Sequence, residues 1–198
     1  MPRFIESIRL NNGVFDRITL HQERVNRIFH EFFPENEPVS IVKELSFYDF
    51  PKQGLFKVRF IFDDQCRKVE FIPYFRRNIE SLRLLETDIE NRFYKLENRA
   101  EFEAAFADRK GSDDVLLVKN GLLTDISYAN IALFDGEKWV TPRLPLISGV
   151  HRSELLAHGK IFENDIYVDE LINYQRIIVF NAMILWGEII LHRSQIIL

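Results

Sequence analysis

Apolar and polar residues alternate through Phe4-Ile5-Glu6-Ser7-Ile8-Arg9-Leu10, the period of a strand. Asn11-Asn12-Gly13 then supplies residues that tolerate positive φ, so a hairpin turn is expected there. Behind it Val25, Ile28, Phe29, Phe32 and Phe33 recur at helical spacing and predict an amphipathic helix ended by Pro34. Thr19 is placed to cap that helix, with Gln22 at the capping-box position. The same spacing sets His21 and Arg24 on one face, directed away from the apolar stripe. A second helix is expected over residues 39–47 with Ile41, Val42 and Leu45 inward. A second hairpin pairs residues 55–62 with 67–72 across Asp63-Asp64-Gln65.

From residue 73 to 93 the periodicity weakens and charges alternate, the pattern of a connection between lobes. The boundary is placed near residue 88, giving an N-terminal lobe over 1–88 and a C-terminal lobe over 89–198. Residues 100–110 read as a helix stopped by Gly111. Asn120-Gly121 joins two apolar runs, a strong hairpin signal, and Asp135-Gly136 joins 131–134 to 139–141. Residues 149–158 form a helix closed by Gly159. Strands are expected over 161–168, 176–181 and 186–191, with a short helix over 169–172. The class is α+β: a smaller N-terminal α/β lobe and a strand-rich C-terminal one.

Composition narrows the function classes. A net charge of −4 over 198 residues gives no general attraction to nucleic acid or anionic lipid. Nothing in the sequence resembles a signal peptide or an apolar run long enough to span a bilayer, so a cytoplasmic setting is expected. The single Cys66 cannot form an internal disulfide, and the five histidines lack metal-ligand spacing, so no metal site is expected.

The candidate chemistry lies mainly in the C-terminal lobe. Lys95, in Tyr94-Lys95-Leu96-Glu97-Asn98-Arg99, is an amine in a non-periodic stretch, where a lysine is ordinarily a solvated charge. Asp125 follows a hairpin strand, a common turn position. Gly149-Val150-His151 opens a helix, where backbone N–H groups and the dipole favour an anion. Singly these are ordinary features. Together they supply an imine-forming amine, an acid and a phosphate cradle.

The ordered set Glu6-Ser7-Ile8-Arg9, His21-x-x-Arg24, Lys95-x-x-Asn98-Arg99, Leu123-Thr124-Asp125 with Asn130, Trp139-Val140-Thr141-Pro142, Gly149-Val150-His151-Arg152 and Phe180-Asn181-Ala182-Met183 resembles the class IV aminotransferases. Within that family it is most similar to the 4-amino-4-deoxychorismate lyases. The resemblance covers nearly the whole chain. It implies the two-lobe fold-type IV architecture of the D-amino-acid aminotransferase kind and pyridoxal 5'-phosphate as cofactor. It also implies a small-molecule substrate and a homodimer.

On the same resemblance, Lys95 bonds the cofactor and Arg24 holds its phosphate together with the Val150 and His151 N–H groups. Asp125 faces the ring nitrogen, and Asn181 lies toward the substrate. The K-x-x-N-R motif and Asn181 favour the lyases, which release pyruvate to give 4-aminobenzoate, a folate precursor. A branched-chain or D-amino-acid transaminase is the alternative within the family, and a non-catalytic member is the alternative outside catalysis. Two positions depart from the pattern. Asp125 stands where members usually carry Glu, one methylene longer. Phe62-Asp63-Asp64-Gln65 replaces the Gly/Arg-rich turn that serves substrate carboxylates in the lyases.

Overall fold

The computed structural model describes residues 2–197, which cluster into two units. The first contains the chain through Arg76 and the returning segment Tyr94–Asn98. The second contains Arg77–Phe93 and the chain from Arg99 onward. Residues 77–88, grouped with the first lobe on the sequence alone, pack in the second unit, where a strand over Leu82–Glu86 forms its sheet.

In the first unit, β1 (Phe4–Asn11) turns into β2 (Val14–Phe15) through Asn12 and Gly13 at φ 48° and 83°. α1 (Ile18–Phe32) and α2 (Ile41–Leu45) precede β3 (Leu55–Phe62) and β4 (Arg67–Pro73). The antiparallel order is β2-β1-β3-β4, with Phe4 opposite Phe62 and Asn11 opposite Leu55. Phe4, Ile8 and Leu10 on β1 meet Val25, Ile28 and Phe29 on α1 in a core closed to solvent. Phe4, Phe32 and Tyr94 extend it as edge-on and tilted rings with centroids 5.0–5.3 Å apart.

Thr19 does not cap α1. The helix begins two residues earlier, with Arg17 as N-cap at φ 55° and no side-chain cap, because the chain enters straight from the hairpin. Gln22 instead ties α1 to the next segment: its amide donates to the Val39 carbonyl and its oxygen accepts the Ile41 N–H. On α2, Ile41 and Leu45 are buried, but Val42 is 62% exposed, since a helix this short turns only one stripe inward.

In the second unit, β5 (Leu82–Glu86), α3 (Ala100–Ala107), β6 (Asp114–Lys119), β7 (Leu122–Ile126), β8 (Asn130–Phe134) and β9 (Trp139–Pro142) are followed by α4 (Val150–Ala157) and β10 (Phe162–Asn164). β11 (Arg176–Phe180), β12 (Ile190–His192) and β13 (Ile196–Ile197) complete it. The sheet runs β10-β9-β8-β7-β6-β5-β13, and β11 pairs with both β8 and β12.

β5 has no counterpart in the sequence reading. It pairs parallel to both β6 and β13, so partners on both sides select its apolar run without the alternation of a half-solvated strand. The strand expected over 161–168 is shortened to β10, after which a 3-10 turn occupies Val168–Asn173. The strand expected over 186–191 reduces to β12. The Asn120-Gly121 turn has both residues at positive φ, 52° and 76°, as its hairpin requires. Leu116, Val118, Ile131, Leu133, Ile177 and Val179 are among the buried residues that fill the main core. No described helix is long and apolar enough to cross a membrane.

Candidate functional site

Phe4, Glu6, Ile8 and Leu10 share the inward face of β1, all fully buried, so a carboxylate stands in a row of core side chains. The cost of burying that charge is offset from α1. Glu6 Oε1 accepts Arg24 Nε–H at 2.7 Å, and Oε2 accepts Arg24 Nη2–H at 2.6 Å together with the His21 ring Nδ1–H. His21 and Arg24 are therefore buried, not solvent-facing as their helical position suggested: Glu6 gives them a partner inside. Burial alone would raise the Glu6 carboxyl. The Arg24 charge and the hydrogen bonds outweigh it and hold the group at about 2.

Burial pushes the His21 imidazolium down from its ordinary value. Glu6 opposes that fall, while the positive charges of Arg24 and Lys95 add to it. The ring is thus neutral, donating from Nδ1 to Glu6, and among the described residues its Nε2 is a buried acceptor without a hydrogen-bond partner.

Lys95 is half-buried, and its segment is laid along β1. The Lys95 carbonyl accepts the Ile5 N–H at 2.9 Å, Leu96 bridges to Phe4, and the Glu97 N–H donates to the Arg3 carbonyl at 2.8 Å. The amine thus belongs to a backbone fixed beside the residue that precedes Glu6. The first unit brings Lys95, His21, Glu6 and Arg24 together.

In the second unit Asp125 is buried on β7. Its Oδ1 accepts from Asn130 Nδ2 at 2.8 Å and its Oδ2 accepts the Ile147 N–H at 2.9 Å. Asn130 Nδ2 also donates to the Ile147 carbonyl, so the two side chains pin the loop that leads into α4. Burial raises the Asp125 carboxyl to about 6. The neutral donors at Ile147 and Asn130, and the charge of Arg152, only partly oppose it.

That loop ends at Gly149, the N-cap of α4, which carries no side chain to take the first-turn N–H groups. A Cβ placed on Gly149 would lie 2.1 Å from Asn130 Oδ1, so glycine is required here for space, not for its φ of −74°. Val150 and His151 follow in the first turn, both buried. The His151 Nδ1–H donates to the Asn181 carbonyl at 2.8 Å, and the ring packs edge-on against Phe180. The Asn181 side chain holds a turn: Oδ1 accepts from the Met183 and Ile184 N–H groups, and Nδ2 donates to the Tyr128 carbonyl. The second unit thus gathers Asp125, Val150 and His151 through Asn130 and the 146–149 loop. Asn181 is joined to them at His151.

The anchoring roles of Glu6 and Asn130 escaped the sequence reading. For Glu6 the signal was available in the inward β1 register together with His21 and Arg24 three residues apart. For Asn130 nothing local marks it, since its partners lie 5 and 17 residues away.

The family model for amino-transferase class IV matches residues 86–190. An uncharacterized protein of Haemophilus influenzae is 29% identical over 186 residues, covering 92% of this chain and 98% of the relative. A protein of Schizosaccharomyces pombe named putative aminodeoxychorismate lyase is 34% identical over 98 residues, 44% of this chain and 42% of that protein. The crystal structure of a putative 4-amino-4-deoxychorismate lyase from Haemophilus somnus superposes with a TM-score of 0.85. It is 23% identical and covers 93% of this chain and 97% of that one, so the likeness establishes the fold-type IV α+β architecture.

Proposed function

Because the chain belongs to the class IV amino-transferase family, whose enzymes depend on pyridoxal phosphate, we propose that it is a lyase acting on 4-amino-4-deoxychorismate. The products would be pyruvate and 4-aminobenzoate. The observation that carries the reading is Lys95 itself, fixed by its backbone to β1 in the neighbourhood of the His21–Glu6–Arg24 network. The K-x-x-N-R motif and the names of the relatives from Schizosaccharomyces pombe and Haemophilus somnus support lyase over transaminase.

The residues suit the cofactor. Lys95 supplies the amine that bonds its aldehyde. The α4 start at Val150 and His151, capped by a residue without a side chain, suits a phosphate, while the Arg24 guanidinium is forked onto Glu6 in the first unit. Asp125 has only neutral direct donors and is raised to about 6, so a protonated ring nitrogen would supply the cation that its surroundings lack. When bound, pyridoxal phosphate supplies a carbonyl to capture the substrate amine and a ring to accept electrons.

In this reading Lys95 would act as the base at the substrate ring carbon bearing nitrogen. The enolpyruvyl C–O bond breaks, and Lys95 returns the proton to the departing three-carbon unit as it becomes pyruvate. No oxidant is consumed, and aromatisation drives the elimination. Asp125 would be the residue that meets the cofactor's ring nitrogen and would be kept ionised by that cation. Asn181 shapes the substrate side through the turn it holds.

Lys95→Ala should abolish turnover and the absorbance of lysine-bound cofactor together while leaving the melting temperature unchanged. A variant that still turns over defeats the assignment. The wild type should form pyruvate and 4-aminobenzoate in equal amounts from aminodeoxychorismate. Stoichiometric release of an oxo acid from an amino acid, without that elimination, would establish the transaminase instead. A wild type that gains no cofactor absorbance when incubated with pyridoxal phosphate would be a non-catalytic member. Homodimer assembly belongs to the same reading and is checked by light scattering.

A further inference from the structure

Three of the second unit's arginines differ in how their charge is met. Arg152 is buried against Glu163, at 2.8 Å, and the half-exposed Arg77 pairs with Asp114. Arg99 is partly buried, and among the described residues it forms no ion pair. Its Nη2–H donates to the Ser127 carbonyl at 2.7 Å, and its guanidinium lies 4.6 Å from the centre of the Phe102 ring. Burial pushes this guanidinium down from its ordinary value, and the charges of Glu103 and Asp125 act only partly against that. A cation in such a position has lost water without gaining a carboxylate.

Arg99 opens onto a cavity of about 160 Å³ whose walls also include Arg77, Phe102, Phe106, Ser127 and Tyr128. Arg77 lies over two of those rings, 4.7 Å from the centre of Phe106 and 4.2 Å from that of Tyr128. Two guanidiniums and three aromatic rings therefore face one small space. It is below the roughly 300–1,000 Å³ of pockets for drug-sized ligands, and suits one ring with one charged group. The exposed Glu103 carboxylate also lines the rim and works against an anion.

We propose that this cavity is a binding site for a small aromatic monocarboxylate, its carboxylate taken by the Arg99 guanidinium and its ring laid among Phe102, Phe106 and Tyr128. A planar guanidinium offers a carboxylate two parallel N–H donors, and the aromatic walls reward a flat ring over an aliphatic one. The inference stands on the cavity and not on the reaction proposed above.

Benzoate is the probe, titrated into the intact chain by isothermal calorimetry with melting temperatures measured in parallel. Saturable binding is expected with one site per chain. It should weaken on the order of tenfold or more in Arg99→Gln, the consequence of losing a charge-assisted fork. It should tighten in Glu103→Gln, and acetate should bind more weakly than benzoate. Lys95→Ala, which destroys the proposed reaction, should leave benzoate affinity unchanged, so failure of the one reading is separable from failure of the other. Absence of saturable binding, equal affinity in a folded Arg99→Gln variant, or equal affinity for acetate and benzoate would overturn the site. If Arg99→Gln does not fold, Glu103→Gln decides alone: an affinity no tighter than wild type defeats the proposal.

Discussion

Glu6 in the first unit and Asp125 in the second are both buried carboxylates, and the two are driven in opposite directions. Glu6 in the first unit is held at about 2, whereas Asp125 in the second is raised to about 6. Burial acts the same way on both, so the difference lies in what surrounds each oxygen. Glu6 receives a guanidinium fork and an imidazole N–H, a full positive charge in contact. Asp125 receives an amide side chain and a backbone N–H, both neutral dipoles, with Arg152 contributing charge but no direct bond. Hydrogen bonds satisfy a buried carboxylate's geometry, but only a counter-charge restores the free energy of leaving water. The first unit carries a closed, self-compensated network. The second carries a carboxylate whose negative charge is still short of a cation, the property expected of a group that acts on a ligand.

Removing the Glu6 charge should produce the largest effect. Glu6→Gln leaves the Arg24 guanidinium buried without its counter-ion, a change that costs about 3–5 kcal/mol when one partner of a buried pair is lost. Urea unfolding measures it. A loss below about 1 kcal/mol would mean that Arg24 finds water or another partner, and the contrast between the two carboxylates would collapse.

The pH dependence sharpens the same contrast. Glu6 is depressed from 4.5, so its stabilisation is full above pH 4.5 and is lost as pH falls toward about 2. Asp125 is raised from 3.8, so its contribution is full below pH 3.8 and is lost as pH rises through about 6. At about 1.4 kcal/mol per pH unit, each shift is worth on the order of 3 kcal/mol. His21, held below its ordinary 6.5, costs stability as pH falls through that value. The difference between wild type and Asp125→Asn therefore isolates the Asp125 share. Carbon NMR of the carboxyl groups gives the direct reading. An Asp125 midpoint at or below 4 would remove the distinction.

On activity, Asp125→Asn should keep the protein able to bind cofactor yet slow turnover on the order of 10²-fold or more, the scale of losing one preorganised electrostatic partner. Asp125→Glu, which restores the more usual side-chain length, should retain most activity. A wild-type rate in the Asn variant would reduce Asp125 to the loop anchor that its bonds to Asn130 and Ile147 already make it.

The sequence was most legible where the code is local. Positive-φ pairs placed the Asn12-Gly13 and Asn120-Gly121 turns, and period-2 and helical spacing placed β1, β3, β6 and α1. It was least legible where partners are distant in the chain. β5 exists because two other strands flank it, and the α1 start at Arg17 is set by the preceding hairpin and not by the capping residues Thr19 and Gln22. The same division runs through the candidate site. Lys95 and Asp125 are visible as motif residues, but their surroundings depend on β1 and on the 146–149 loop. The inward turn of His21 and Arg24 could be foreseen only by first placing Glu6 inside.

The smallest expected effect tests the join between Asp125 and the start of α4. Gly149 sits at φ −74° and ψ 142°, a conformation open to any residue, so Gly149→Ala introduces no backbone strain. Its methyl group would instead meet Asn130 Oδ1 at 2.1 Å and force that amide, and with it the Asp125 contact, to move. Overpacking of this kind costs about 1–3 kcal/mol. If the clash is the cause, truncating the amide first should relieve it: in an Asn130→Ala background Gly149→Ala should cost much less, the coupling read from a double-mutant cycle by urea unfolding. Equal costs in the two backgrounds would show that Asn130 yields freely, and that the Asp125 carboxylate is not held through it to the helix start.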